Sequence, residues 1–304
     1  MLHRFNCYRH TCFINMINFI DCLIAKAVLS FKSKNSNKKF QEPDYTAAII
    51  KEFVPLANQY LMPLRGMKIG GSYIHQKPYV SFVYNGKVKK CELGDLLVIC
   101  RKRVDSEDLF NAVLMQLKMS SGRDVKRISN TGDLIQLYLY TKWPLFWFNN
   151  NTKYDIQPKT VSLGAQYLFV NNNKKTVFTH SIPQIQMQID DSFSFGRFLF
   201  DFINWQNGRP MMPEDQICGD EWSKLIWGII DHNKKAVFRR KNINIYNEPR
   251  NSIDFLTSLC SQDNNDFTGD EYTDNPANKS SEEYVMACPI LFIDLAYDSQ
   301  HIVG

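Results

Sequence analysis

Glu92-Leu93-Gly94-Asp95-Leu96-Leu97-Val98-Ile99-Cys100 and Ala112-Val113-Leu114-Met115-Gln116-Leu117-Lys118 are the two runs whose reading decides the fold. Each is an apolar, strand-like segment with polar groups at one end: the first opens on two carboxylates, the second closes on a Gln-x-Lys. Charge is normally excluded from such strands, so ionisable groups there need a partner or a job. Gln116 and Lys118 are two apart and leave the same face of a strand. Glu92 and Asp95 are three apart and point to opposite faces of a regular strand unless Gly94 introduces a bulge. Asp95 is therefore the primary candidate ligand, with Glu92 conditional on that bulge.

The surroundings give these runs an order. Upstream, Asp44 is a candidate N-cap for a helix from Tyr45 to about Leu61, with Ala48, Ile49, Phe53, Leu56 and Tyr60 at helical spacing. Pro55 must kink that helix or split it. Tyr79 to Tyr84, the turn Asn85-Gly86 and Val88 to Glu92 predict a hairpin with a primed two-residue turn. Its second strand is expected to run on through Asp95 to about Arg101. A charged turn (Arg101 to Asp108) leads to a strand over 112–119. A loop then precedes a helix from about Asp133 to Thr141, ended by Trp143-Pro144, and a strand over 161–170. The predicted order is helix, three strands, helix, strand, an α/β fold.

Toward the C-terminus, Phe193 to Trp205 and Glu221 to Asp231 predict amphipathic helices, with Lys234, Lys235, Arg239, Arg240 and Lys241 close behind. Residues 261–283 are acidic and poor in apolar side chains, a flexible segment by composition, before a short strand near Pro289 to Leu295. The expected organisation is an N-terminal helix and basic linker (1–43), a core (44–190) and a mostly helical C-terminal region (191–304).

Hydrophobic residues make up 44% of the 304-residue chain and charged residues 22%, which excludes a disordered or fibrous protein. The eight cysteines are scattered without CxxC spacing, so free thiols in a reducing cytoplasm are expected, not a disulfide frame. The net charge of +5 conceals an asymmetry: residues 1–130 carry 21 Lys/Arg against 10 Asp/Glu, and residues 250–304 carry 2 against 10. The half that holds the carboxylate-Gln-Lys constellation is the basic one, which suits a polyanionic partner. Residues 12–31 are apolar, but Asp21 and Lys26 interrupt them and no small-residue cleavage site follows. Neither a membrane span nor a signal is expected there; a helix docked on the body is. Met16 offers an internal start that would leave 1–15 a poorly ordered leader.

Metal-assisted phosphodiester hydrolysis needs oxygen ligands for Mg²⁺, an activated water and a cation beside the phosphoryl charge. Asp95 and Glu92 supply carboxylates, Gln116 a carbonyl oxygen and Lys118 the cation. These residues, in this order of elements, resemble the PD-(D/E)XK nuclease superfamily. The resemblance covers about residues 44–170 and implies a restriction-endonuclease-like core (αβββαβ, a mixed sheet flanked by helices). In that superfamily an Asp on the second strand and a (D/E)-x-K on the third bind the metal and orient the water; Asp95 matches the Asp and Lys118 the Lys. Gln116 departs from the usual acid and resembles a Gln-x-Lys variant found among Mrr-like restriction enzymes and phage-defence effectors. Gln136-Leu137-Tyr138-Leu139-Tyr140 is similar to the Q-x-x-x-Y motif of RecB-type members, and Gln136 and Tyr140 share a helical face. An acid on the first helix often completes the metal shell there, which makes Glu52 a candidate.

The resemblance implies a Mg²⁺- or Mn²⁺-dependent DNA endonuclease of an anti-phage system. Asp95, Gln116 and Glu92 would hold the metal and Lys118 would orient the water; Gln136, Tyr140 and Glu52 would support the site. DNA is the expected substrate ahead of RNA, with a protein partner in a defence complex; a homo-oligomer stays open. The alternative is a non-catalytic subunit that keeps the fold to bind nucleic acid or a partner. Trp143, Phe146, Trp147 and Phe148 are expected in the core or an interface ahead of a base-stacking platform. The six histidines show no ligand spacing, and His180 is expected at the surface.

Overall fold

The computed structural model describes residues 2–37, 39–74, 78–120, 125–159, 163–171, 176–238, 251–261 and 286–295, with side chains of the first helix from Asn15 onward. Helix α1 (Leu2–Lys34) is followed by α2 (Glu42–Ala48), a π-helical turn (Ile49–Phe53) and α3 (Val54–Arg65). Strands β1 (Met67–Ser72), β2 (Tyr79–Tyr84), β3 (Lys87–Glu92), β4 (Leu96–Val104), β5 (Glu107–Met119) and β6 (Val125–Arg127) lead to α4 (Thr131–Lys142). Then come β7 (Phe146–Phe148), β8 (Lys153–Tyr154), β9 (Ala165–Val170), β10 (Phe178–Ser181) and β11 (Gln186–Gln188). The chain continues through α5 (Phe195–Ile203), β12 (Arg209–Met211), α6 (Glu221–Phe238), α7 (Ser252–Ser261) and β13 (Ile290–Leu295).

The fold is α/β. Its main sheet is mixed, in the order β1-β13-β4-β5-β9-β10, with β12 added on β5. β4 and β5 are antiparallel, joined tightly at Asp105-Ser106, where Asp105 takes φ 55°. The stretch expected as a charged turn is therefore the tip of a hairpin, because Arg101 and Arg103 pair across it with Phe110 and Asp108. β5 and β9 are parallel, with α4 in the connection. Between β1 and β4 lies β13, antiparallel to the first and parallel to the second.

Both faces of this sheet are covered, so its central strands are apolar on both sides. One face (Leu97, Ile99, Ala112, Leu114, Tyr167) packs under α4, α6 and α7. The other (Leu96, Val98, Val113, Met115, Leu168) packs under α1, α2, α3 and α5. α1 docks through Ile20, Leu23, Ile24, Ala27, Val28 and Phe31, a helical stripe. Asp21, which interrupts its apolar run, accepts the Gly196 backbone N–H (2.8 Å) at the start of α5, and burial raises its pKa. Among the described residues no helix is long and apolar enough to cross a membrane.

The helix expected over 45–61 begins at Glu42 and runs from α2 through the π-turn into α3 without leaving helical dihedrals; Pro55 follows directly on the π-turn, where the bonding widens to Val54 N–H on Ile49 O. The Asn85-Gly86 hairpin forms as expected, both residues taking positive φ (49° and 72°). Its second strand does not run on to Arg101. β3 ends at Glu92 and belongs to a separate four-stranded sheet, β3-β2-β7-β8, while β4 starts at Leu96 in the main sheet. The chain changes sheets at Leu93-Gly94-Asp95, tied by Leu93 N–H to Pro78 O (2.7 Å) and Asp95 N–H to Met115 O (2.8 Å). The strand predicted over 161–170 is β9, and residues 160–162 lie outside the described residues, as do Arg239, Arg240, Lys241 and most of the acidic segment (262–283).

β13 is held by a buried fork. The Arg101 guanidinium donates to both Asp294 oxygens (2.9 and 2.7 Å) and to Thr257 Oγ1 (3.1 Å), linking β4, β13 and α7. Truncation of Arg101 to Ala leaves Asp294 as an uncompensated buried charge and is expected to cost about 3–5 kcal/mol. A fall in the urea midpoint reads that loss; an unchanged midpoint would show that the fork contributes nothing.

Candidate active site

The change of sheets brings the two acids together. Asp95 stands on the same face of β4 as Leu97 and Ile99, and Gln116 and Lys118 on the same face of β5 as Leu114, beneath α4. Glu92 arrives from the end of the other sheet. No bulge is needed at Gly94; its lack of a side chain serves a close approach instead. A Cβ there would sit 3.3 Å from Met115 O and 3.4 Å from the Tyr140 hydroxyl, which donates to Leu93 O (2.6 Å).

Asp95 is half-buried, and its Oδ2 accepts both the Leu117 backbone N–H (2.7 Å) and the Gln116 side-chain amide. Burial pushes its pKa well above the carboxylate range, and the neighbouring Glu92 charge adds to this; the Leu117 N–H opposes them, and Glu42 and a side-chain hydrogen bond to Glu92 raise it further. Two carboxylates in hydrogen-bond contact hold a proton between them or call for a cation in its place.

The amides form a relay with a defined direction. Gln136 Nε2 donates to Glu92 backbone O (3.1 Å) and to Gln116 Oε1. Because a carbonyl anchors Gln136 through its nitrogen, Gln116 must turn its oxygen to Gln136 and its nitrogen to Asp95. Gln116 and Gln136 are almost fully buried, as is Tyr140. Gln116 thus holds Asp95 through its NH₂, and its carbonyl oxygen, the expected metal donor, is taken up by α4. Lys118 Nζ pairs with Asp133 Oδ1 (2.8 Å) at the first turn of α4. Burial raises the Asp133 pKa, but the hydrogen bond and charge of Lys118 outweigh it, with help from Asn130 and Lys126, and hold it below the usual value.

Two residues here escaped the sequence reading. Asp133 was read as a helix start only. Glu42 lies on α2, where its Oε1 accepts Met119 N–H (3.1 Å) at the end of β5 and its charge reaches Asp95. An acidic residue in the first turn of a helix usually serves the helix itself, so its sequence signal is faint. Glu52, on the π-turn, accepts instead from Ser30 Oγ (2.8 Å) and Lys34 Nζ (2.7 Å) of α1. The structure thus brings Asp95, Glu92, Gln116, Gln136 and Tyr140 together with Glu42, sets Lys118 on the same face of β5 against Asp133, and ties Glu52 to α1.

His180, expected at the surface, is buried on β10 against Phe198, and its Nδ1 meets Gln166 Oε1 (3.2 Å). Burial pulls its pKa down to about 4, so it is neutral at physiological pH. Paired with Leu168, it faces the side of the sheet opposite Gln116.

The donor set suits a hard cation: all its candidate ligands are oxygens. Among the described residues no three His, Cys, Asp or Glu side chains converge into a cage. Mg²⁺ needs none, since one or two carboxylates, water and a substrate phosphate complete its shell. The acids lie beside the carboxyl ends of the parallel strands β5 and β9, the usual place for a ligand in an open α/β sheet. Compared with protein-family models, curated proteins and solved structures, the chain finds no match in any of the three.

A carboxyl whose pKa is raised by folding stabilises the fold while protonated, fully below its unfolded value, and that contribution is lost as pH rises through the folded value. Asp95→Asn, neutral and isosteric, is therefore expected to melt above the wild type at neutral pH and to converge with it in the acidic range. A variant that melts lower at neutral pH contradicts the crowding of Asp95 by Glu92.

Proposed function

We propose that the chain is a Mg²⁺-dependent DNA endonuclease on a restriction-endonuclease-like core, acting in anti-phage defence. The observation that carries the reading is the Asp95–Glu92 pair, two crowded carboxylates held at a strand end by an amide relay. The hairpin β4–β5, the helix α4 and the parallel strand β9 support the core assignment, with Asp95 at its first strand, Lys118 on its second and Gln136 and Tyr140 on its helix. The sheet differs from the expected order: β13, not the 79–92 hairpin, lies beside β4, and β1, β10 and β12 add to it. The defence role rests on the Gln-x-Lys resemblance alone.

Asp95 and Glu92 would hold the metal, with Glu42 at the margin of the shell. When bound, the ion supplies Lewis acidity at the phosphoryl group and lowers the pKa of a coordinated water. Before that, Asp95, whose pKa burial raises, must give up its proton, so metal affinity would rise with pH. Gln116 and Gln136 hold Asp95 in place without adding charge. Lys118, held in place by its ion pair with Asp133, would offer its ammonium to a non-bridging oxygen as charge builds on phosphorus. Tyr140 fixes the chain at Leu93, between the two acids.

A second reading is favoured by the same relay. Gln116 Oε1 is taken by Gln136 and Lys118 by Asp133, an arrangement that also suits a non-catalytic subunit keeping the fold to bind nucleic acid or a partner. Plasmid cleavage in Mg²⁺ or Mn²⁺ separates the two. Asp95→Ala and Lys118→Ala are each expected to lower the rate by at least about a hundredfold. Cleavage that survives both changes, or its absence in every condition with partners added, removes the nuclease reading; cleavage of RNA alone replaces DNA as substrate.

A further inference from the structure

The four-stranded sheet buries one face and, among the described residues, leaves the other open. Its inner side, Val80, Phe82, Phe146 and Phe148, packs into the core, with Tyr138 of α4 stacked on Phe82. Register fixes what stands outside. Ser81 pairs with Lys90 on one side and Trp147 on the other, and Trp147 pairs with Lys153. A single row therefore crosses all four strands, Lys90-Ser81-Trp147-Lys153, with a lysine at each end and an indole between. Two residues along β2, Tyr79 is exposed, with Lys90 Nζ 5.1 Å from its ring centroid, and its pairing partner across the ladder is Glu92.

This composition is unusual for a solvent-facing sheet. Trp147 is only half-buried although Trp143, Phe146 and Phe148 around it are wholly buried. Val83 and Val88 extend the apolar strip toward the hairpin tip at 52% and 63% exposure. Flat rings flanked by lysines, beside a small serine that leaves room above the sheet, match bases that stack while their phosphates meet ammonium groups. The lysines disfavour a basic partner, and among the described residues the flat, open row has no wall to grip a duplex groove. The strip ends on the candidate site itself, at Glu92.

We infer that the outer face of this sheet binds a single-stranded segment of nucleic acid, stacking bases on Trp147 and Tyr79 and leading the strand to Glu92 and Asp95. The inference rests on the nuclease reading for what happens at the end of the strip, and not for the binding. It makes unpaired strands, or duplex ends and bubbles, the substrate class.

Fluorescence anisotropy of a labelled oligothymidylate of about 12 nucleotides, within the range one such platform spans, tests it in EDTA, where binding is read apart from hydrolysis. The wild type is expected to bind this oligomer more tightly than a duplex of equal length. Tyr79→Ala and Trp147→Ala are each expected to weaken it about tenfold, with Trp147→Phe retaining most of the affinity. Lys90→Ala and Lys153→Ala should each flatten the salt dependence by about 0.7 in log–log slope. Tyr79 and Lys90 are exposed, so their variants keep the fold, and melting curves check it. Unchanged affinity in both of these variants, a preference for duplex, or no binding by the wild type overturns the platform. Plasmid nicking that persists while Tyr79 and Lys90 prove irrelevant leaves the nuclease reading standing without it; ring-dependent binding with no cleavage does the reverse.

Discussion

Burying a polar group in a sheet covered on both faces is costly unless it finds a partner, and that cost shapes the site built on this one. The interior of β4, β5 and β13 is largely apolar, and two of the polar side chains it admits are answered across the sheet: Arg101 by Asp294, Gln116 by Asp95 and Gln136. Charge that is not neutralised locally is expelled to the strand ends. Asp95 and Glu92 sit there, half in and half out, and at Asp95 burial works against ionisation. The contrast between the two acidic sites in one sheet is chemical: one is closed by a guanidinium, while at the other a buried carboxyl stands against a second carboxylate.

The buried carboxyl of Asp95 is held by neutral groups. Gln136 takes its direction from a backbone carbonyl, passes it to Gln116, and Gln116 presents an N–H to Asp95. A carboxylate at position 116 could not serve in this chain of amides, because it has no hydrogen to give to Asp95. The Gln-x-Lys pattern and the Gln136 motif are therefore coupled through α4. In this chain the Gln on β5 is met by a Gln on α4.

Local chemistry made much of this visible in the sequence. Asn85-Gly86 announced its hairpin because both residues accept positive φ, and the alternation in 112–119 placed Gln116 and Lys118 on one face. Gln136 and Tyr140 were legible from helical spacing. The change of sheets at Leu93-Gly94 was not, since an apolar pair between two strand-like runs reads as one continuous strand; the resulting approach of Glu92 to Asp95 depends on that break. Asp133 and Glu42 were hidden for another reason. An acid at a helix start has a sufficient local explanation, and only the tertiary arrangement shows it meeting Lys118 or the end of β5. Trp147 was grouped with its buried neighbours although strand alternation turns it outward from Phe146 and Phe148.

β13 carries a consequence for how the molecule comes into being. It follows every other described element in the chain, yet it lies between β1 and β4, with hydrogen bonds to both. Until it arrives, β1 has no partner in the sheet and one long side of β4 stands open, an apolar edge of the kind that recruits strands from other molecules. Its pairing with β4 is among the most sequence-distant in the sheet, a topology that slows folding. During synthesis the preceding segments can pack helices and hairpins, but the central sheet cannot close ahead of its last strand. That edge of β4 thus stays unsealed until β13 is made, and a chain interrupted before residue 290 would keep it open to self-association.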